Sequence, residues 1–101
     1  MWLIIDDQKD LGCDVIARTA EAGRAILTCM GFKFDCLCID HDLGGKETGL
    51  DVLKYGIESE TLPEHIQLVT HNPVGRENMK NFLLDNGYSS VNGIDFMKRS
   101  K

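Results

Sequence analysis

The chain has no apolar stretch close to the ~20 residues that a membrane-spanning helix needs. No basic region precedes its first short apolar run, so that run is predicted to be a strand and not a signal peptide. Positive charge is also scarce, because 11 Lys and Arg stand against 16 Asp and Glu, a net charge of −5. We therefore expect no membrane association and no general nucleic-acid surface, which would need clustered Lys and Arg.

Metal-site cysteine spacing is missing as well. The four cysteines lie in apolar segments at positions 13, 29, 36 and 38, and no Cys-x-x-Cys pair or matching His spacing completes a zinc set. Free buried thiols in a reducing cytoplasm are the expectation. Repeats and low-complexity segments are absent, and 101 residues make one domain over 1–101.

The chain does contain three short apolar runs that each end in polar residues. They are Trp2-Leu3-Ile4-Ile5 before Asp6-Asp7, Cys36-Leu37-Cys38-Ile39 before Asp40-His41-Asp42, and Ile66-Gln67-Leu68-Val69 before Thr70-His71-Asn72. Short apolar runs of this kind are typical of strands in parallel sheets covered by helices. Ligands bind at the carboxyl ends of such strands, so we expect one site there.

Turn and capping signals divide the rest of the chain. They predict helices over about 20–30, 48–59 and 73–85, and strands at 2–5, 13–17, 34–39, 66–70 and near 90–91. The link 6–12 is short for a helical crossover, so either a helix is reduced to about a turn or the second strand pairs unusually. The apolar stripe of the first helix is assigned to Ala22, Ala25, Ile26, Cys29 and Met30.

These elements predict an α/β fold with a mostly parallel, five-stranded sheet. The basic tail, about 97–101 with Lys98, Arg99 and Lys101, is expected to be a solvated, frayed end. No final helix fits after residue 93. The resulting bare sheet face leaves room for a homo-oligomer.

Carboxylates form one half of the predicted site: Asp6, Asp7, Asp40 and Asp42. Two carboxylates ~4 Å apart repel by about 4 kcal/mol at an effective dielectric constant near 20, so the group needs a proton, a cationic side chain or a metal. Oxygen ligands of this kind suit Mg²⁺, with Mn²⁺ as the alternative. Asp7 and Asp42 are equally well explained as turn or helix caps, whereas Asp6 and Asp40 favour a functional role.

The other half follows the third apolar run, where Asn72 and Pro73 open a helix whose N-terminus suits an anion. The predicted phosphate-binding residues are Thr70, Asn72, Gly75, Arg76 and Asn78. His41 and His71 each follow a strand beside these groups. Histidine is the side chain best suited to exchange protons near neutral pH, so both are candidate proton carriers, with Asp40 as the third catalytic candidate. His65 is expected to be an exposed loop residue without a role.

At these residues the sequence resembles receiver domains of two-component signalling. The acidic pair Asp6-Asp7, the phospho-accepting position Asp40 and the position Thr70 match their pattern. No Lys-Pro follows the last strand, which argues against ordinary phosphorelay signalling. The resemblance implies a flavodoxin-like receiver fold, here with the first helix reduced and the last helix missing.

Asp40-His41-Asp42-Leu43-Gly44 and His71-Asn72-Pro73-Val74-Gly75-Arg76-Glu77-Asn78-Met79 more closely resemble the divergent branch called cyclic-phosphate processing receiver domains. This resemblance implies metal-dependent hydrolysis of a cyclic phosphate, such as a 2',3'-cyclic RNA end or a cyclic nucleotide, in a bacterium or phage. Two alternatives stay open. The chain could sequester a cyclic nucleotide without turnover, or accept a phosphoryl group on Asp40.

Overall fold

The computed structural model describes residues 1–99 as a two-layer α/β fold. In chain order the elements are β1 (Trp2–Ile5), β2 (Val15–Ala17), α1 (Ala20–Met30), a 3-10 turn (Gly31–Lys33), β3 (Cys36–Ile39), α2 (Gly49–Ser59), β4 (His65–Leu68), α3 (Pro73–Asp85), β5 (Tyr88–Ser89) and β6 (Asp95–Lys98). The sheet order is β2-β1-β3-β4-β6-β5. The first four strands are parallel, which confirms the predicted fold class.

The described chain has six strands, where five were expected. β5 and β6 form an antiparallel hairpin, and β6 runs antiparallel to β4 with Ile66 opposite Phe96. Within β6, Phe96 is fully buried, Asp95 is half-buried and Met97 is exposed. The frayed-tail prediction was therefore wrong for residues 97–98, while residues 100–101 lie outside the described part of the chain.

The link between β1 and β2 contains turns and no helix. Leu11 and Gly12 both take positive φ, at 49° and 72°, and reverse the chain before β2. β2 then lies parallel to β1, with Leu3 opposite Val15. The two alternatives were a helix reduced to about a turn and an unusually paired second strand. The structure shows the first, since turns replace the helix and β2 pairs as a regular parallel strand.

Each helix begins at a side-chain cap that the sequence predicts. Thr19 Oγ1 accepts a hydrogen bond from the Ala22 N–H, and Asp51 accepts one from the Thr48 N–H. The predicted stripe of α1 was wrong at Ala25 and Cys29, which are exposed. The cause is Gly23, which lies directly on Ile5 and so turns a different face of α1 toward the sheet.

All three helices pack on one face of the sheet. The main apolar cluster joins helix side chains such as Leu27, Leu53 and Leu83 to strand side chains such as Leu37 and Ile66. On the other face a small cluster of Ile4, Cys36 and Cys38, with Cys13 and Val69 against it, includes no helix residue among those the structure describes. That second face is the bare face expected from the missing helices.

This bare face carries a polar network that the sequence did not suggest. His65 lies in β4 and its Nε2 is 2.9 Å from Asp95 Oδ1, which also accepts a hydrogen bond from Gln67 Nε2 at 3.0 Å. A third bond comes from Asn92 to Asp95 Oδ2. Hydrogen bonds from Asn92, His65 and Gln67 lower the pKa of Asp95. The expectation of an exposed loop for His65 was therefore wrong.

The cysteines at 13, 29, 36 and 38 are all free thiols, as expected, but they are not all buried. Cys29 is exposed on α1, whereas Cys36 and Cys38 lie under the bare face. Burial raises the pKa of Cys13 to about 11, so this thiol stays protonated near neutral pH. Within residues 1–99, no helix is long and apolar enough to cross a bilayer.

Candidate functional site

The carboxyl ends of β1, β3 and β4 meet at one edge of the sheet. The backbone ladder continues one step past the strands, because Asp40 N–H donates to the Ile5 carbonyl and Val69 N–H to the Ile39 carbonyl, each at 3.0 Å. The three neighbouring strands therefore end at about the same level, and Asp6, Asp40 and Thr70 follow these ends side by side. Burying polar side chains at such an edge is typical of a ligand site in an open α/β sheet.

Asp6, Asp7 and Asp40 form a compact acidic group. Each offers one carboxylate oxygen, and these oxygens lie within 4.8 Å of one another. Asp6 is 0% exposed and Asp40 is 8% exposed, while Asp7 is half-buried. Water cannot fully screen the repulsion among charges held this close in a buried place, so the group requires compensating positive charge.

Asp6 has two oxygens in different surroundings. Its Oδ1 accepts hydrogen bonds from the N–H groups of Gln8 and Lys9, at 2.9 and 3.0 Å, and so closes the turn after β1. Its buried Oδ2 has no hydrogen bond of good geometry among the described residues. Burial raises the pKa of Asp6, but these backbone bonds and the Lys9 ammonium outweigh burial and leave the pKa lowered.

Lys9 is a site residue that the sequence reading missed. Its Nζ lies 3.0 Å from Asp6 Oδ2 and 3.9 Å from Asp40 Oδ2, so its ammonium contacts two of the three carboxylates. The Arg18 guanidinium fixes the same turn, because it donates to the carbonyl oxygens of Asp6 and Lys9. The available signal was the spacing, since a lysine three residues after Asp6 can fold back over a tight turn.

The acidic group fits a divalent cation. Three carboxylates from two strand ends are the donor set that Mg²⁺ or Mn²⁺ prefers, and the contact of the buried Asp6 Oδ2 among the described residues is with the Lys9 ammonium. Asp42 lies elsewhere: it is exposed, its Oδ1 is 3.2 Å from His41 Nδ1, and its carboxylate accepts from Asn72 Nδ2 at 3.4 Å. The structure thus groups Asp42 with the histidine side of the site.

His41 is held in place by a glycine of α3. A Cβ added at Gly75 would lie 2.4 Å from His41 Cγ and 2.7 Å from its Nδ1, so the imidazole rests directly on the backbone of the helix. The contact with Asp42 then leaves Nε2 of His41 as the ring nitrogen not engaged by that carboxylate. Gly75 is therefore explained by close packing of the imidazole, and it need not admit a phosphate.

The start of α3 is largely satisfied by its own residues. Asn72 Oδ1 accepts from the N–H groups of Val74 and Gly75, both at 3.1 Å, and Thr70 Oγ1 accepts from the Asn72 N–H. Arg76 folds back and donates to the Thr70 carbonyl, with its Nε buried and without a partner in residues 1–99. Asn72, Gly75 and Arg76 thus build the strand-to-helix turn.

The remaining predicted residues lie at the outer rim. His71 and Asn78 are both exposed, and no hydrogen bond from either side chain occurs within the described part of the chain.

Asp7 faces the loop after β3, where Gly44 takes a φ of +75° and would place a Cβ 3.3 Å from Asp7 Oδ2. A shallow cleft of about 290 Å³, lined by Gly44, Lys46 and the start of α1, opens beside this loop.

Gly49 closes that loop onto the strand end. Its N–H donates to the His41 carbonyl at 2.9 Å, and a Cβ at this position would lie only 2.0 Å from the Asp40 carbonyl oxygen. The loop from His41 to Gly49 consequently returns to its starting point. This closure fixes Asp40 and His41 relative to α2, which begins at Gly49.

Comparison with known proteins gives one match. The family model described as cyclic-phosphate processing receiver domain matches residues 1–85, which run from β1 to the end of α3 and include every predicted site residue. A search of curated proteins found no match. A search of solved structures found no match either.

Proposed function

The chain belongs to the family of cyclic-phosphate processing receiver domains, and from this premise we propose that it hydrolyses a cyclic phosphate with the help of a divalent cation. The observation that supports this proposal is the acidic group of Asp6, Asp7 and Asp40 at one sheet edge, where His41 directly follows Asp40 in the chain. Water would add across one P–O bond of the ring. One P–O bond forms, one breaks, and the product is a phosphomonoester or an opened diester.

Asp6, Asp7 and Asp40 would hold Mg²⁺ or Mn²⁺. A cation bound there would supply positive charge to the phosphate oxygens and lower the pKa of a bound water. The carboxylates would fix the position of the cation, and through the cation that of the substrate, relative to the strand ends. Their burial suits this role, because charge interactions strengthen where water is excluded.

His41 is our first candidate for proton transfer. Its ring is held between Gly75 and Asp42, so its orientation is fixed before substrate arrives, which is what general acid-base catalysis needs. The ring would take a proton from the attacking water or give one to the leaving oxygen. His71, which is exposed at the rim, would instead contact the part of the substrate beyond the phosphate.

The predicted phosphate-binding residues take two kinds of role in this proposal. Thr70, Asn72, Gly75 and Arg76 shape the turn that carries the site, since each takes part in a hydrogen bond within it. Asn78 lies one helical turn further on and is free to reach an outer phosphate oxygen or a ribose hydroxyl. The cleft beside Gly44 and Lys46 would receive the nucleoside portion.

The test is incubation of the protein with a panel of cyclic phosphates, with Mg²⁺ or with chelator, read by mass spectrometry. The panel holds 2',3'-cyclic mononucleotides, an oligonucleotide with a 2',3'-cyclic end and several cyclic dinucleotides. We expect a metal-dependent mass gain of one water on one class. Asp40→Asn should abolish the gain, whereas Asp85→Asn, the same change at an exposed residue of α3, should leave it intact.

Other outcomes would redirect the assignment. Ligands recovered unaltered after heat denaturation, yet retained by the folded protein, would replace hydrolysis with sequestration. If nothing binds, the protein should be incubated with acetyl phosphate and Mg²⁺. One added phosphoryl mass in the wild type, absent from Asp40→Asn, would make it a phospho-accepting receiver, a candidate favoured by the ammonium of Lys9 near Asp40.

A further inference from the structure

Lys9 is anchored so that its ammonium lies over the acidic group. Its N–H donates to Asp6 Oδ1 at 3.0 Å and its carbonyl accepts from Arg18 at 2.8 Å, so the backbone on both sides of the side chain is fixed. From this base the side chain reaches back, and its Nζ lies 3.0 Å from Asp6 Oδ2. The side chain remains 31% exposed, so an outward path to solvent is open to it.

The charges explain why an ammonium is held there. Asp6, Asp7 and Asp40 bring three carboxylates within 4.8 Å. Among residues 1–99, Lys9 is the one basic residue whose charged group lies within salt-bridge distance of a carboxylate of this group. It faces the one buried oxygen of Asp6 that has no well-formed hydrogen bond. Lys9 therefore stands where a bound cation would be most strongly attracted.

We propose that Lys9 is a positioning residue that fills the cation place of this site, and that a divalent ion must displace its ammonium in order to bind. The inference rests on the proposed function, because it takes Asp6 and Asp40 as the ligands of that ion. A metal that used Asp6 Oδ2 would share one oxygen with the ammonium, and two cations on one oxygen repel. Swinging Lys9 outward removes the conflict.

This arrangement gives the site two states. With Lys9 inward, the carboxylates are held together and the edge of the sheet is stable without metal. With a divalent ion bound, the freed ammonium lies at the mouth of the site, where it can attract the negative charge of a phosphate. Metal affinity is lower than the three carboxylates alone would give, because the ion has to replace an existing ion pair.

The test compares Mn²⁺ affinity of the full chain as wild type, as Lys9→Met and as Lys80→Met, by following the electron paramagnetic resonance signal of free Mn²⁺. Methionine keeps the apolar stem and removes the charge. Lys80 pairs with Glu77 on α3 at 3.8 Å, so its substitution removes one positive charge away from the site. We expect Lys9→Met to bind Mn²⁺ at least about tenfold more tightly than wild type, and Lys80→Met to differ by less than about twofold.

Equal or weaker Mn²⁺ binding by Lys9→Met would overturn the proposal, because an ammonium that does not compete cannot be in the cation place. Lys9→Arg, which keeps the charge, should bind Mn²⁺ as wild type does. In chelator we expect Lys9→Met to melt at a lower temperature than Lys80→Met, and Mn²⁺ to raise its melting temperature more than that of wild type. If Lys9→Met is unfolded in chelator, refolding on Mn²⁺ addition supports the proposal and failure to refold refutes it.

These readouts separate this inference from the proposed hydrolysis. If Lys9→Met binds Mn²⁺ more tightly but wild type hydrolyses no cyclic phosphate, the proposed role of Lys9 stands and the proposed hydrolysis is refuted. If wild type hydrolyses a cyclic phosphate with metal but Lys9→Met has unchanged Mn²⁺ affinity, the proposed hydrolysis stands and the displacement of Lys9 is refuted.

Discussion

The contact between Gly75 and His41 leads to a prediction about stability. Whether Gly75→Ala lowers or raises the free energy of unfolding should depend on the residue at position 41. In Gly75→Ala the added Cβ would lie 2.4 Å from His41 Cγ. Carbon atoms pack at about 3.5–4.0 Å, so the imidazole has to move by roughly 1 Å or the start of α3 must shift. Because a misplacement of that size can cost about 10²-fold in rate, hydrolysis should fall even if the fold survives.

The expected size follows from two opposing effects. Forcing extra volume into a packed place costs about 1–3 kcal/mol. Replacing glycine by alanine within a helix raises the free energy of unfolding by up to roughly 1 kcal/mol. Gly75→Ala should therefore lower the free energy of unfolding of wild type by up to about 3 kcal/mol. In a His41→Gly background the ring and the His41 Cβ, which would lie 2.8 Å from the added methyl group, are both gone, and the same substitution should raise the free energy of unfolding by up to roughly 1 kcal/mol.

The assay is urea unfolding of the four chains of this double-mutant cycle, followed by circular dichroism. The reversal of sign between the two backgrounds is the specific result, with a coupling energy of about 1–3 kcal/mol. If Gly75→Ala changes the stability of both backgrounds by the same amount and sign, His41 does not rest on Gly75. The fixed orientation that we assign to its ring would then have no support.

Three further predictions concern residues outside the site. The pKa of Asp95 is lowered in the folded protein, so the stability that this carboxylate supplies is present above about pH 4 and is lost as the pH falls through the folded-state pKa. Asp95→Asn should therefore make the urea midpoint less sensitive to pH between about 6 and 3. An unchanged pH dependence would contradict this. A thiol reagent should modify Cys29 at once and reach Cys38 only on unfolding, since the neighbouring Cys36 thiol and burial raise the pKa of Cys38. Cys29→Ser should remove the fast phase. Tyr88→Phe should lower the free energy of unfolding by about 1–3 kcal/mol in the same urea assay, because the buried Tyr88 hydroxyl donates to the Pro63 carbonyl at 2.6 Å; a loss near zero would mean that water replaces this bond.

The sequence predicts best those features that depend on neighbours along the chain. The caps at Thr19, Thr48 and Asn72 are local patterns, and all three begin helices as expected. The acidic group is also foreseeable, because carboxylates that follow parallel strands arrive at one edge whatever the details of packing. Its three closest members, Asp6, Asp7 and Asp40, were named from their positions alone.

Features that depend on contacts between distant segments were missed or misread. The packing of the His41 ring on Gly75 joins distant segments and was not foreseen, while phosphate binding at Gly75 stays a prediction. Phe96 lies in β6 and is fully buried, but this strand runs on into the basic tail and shows no alternating pattern in the sequence. Lys9 looked like part of a polar link, because its contact with Asp40 joins residues 31 positions apart and its contact with Asp6 depends on the turn between them. In each case the missing information was the direction of a side chain.

The antiparallel entry of β6 has a practical consequence for handling this protein. Lys98 N–H donates to the carbonyl of Glu64, just before β4 begins, and Met1 lies against Asp35, just before β3 begins. Both described chain ends thus emerge at the pole opposite Asp40, about 13 Å away along a strand of four residues. An affinity tag, a fluorescent fusion or a surface attachment at either end would leave the candidate site facing outward and accessible to ligand.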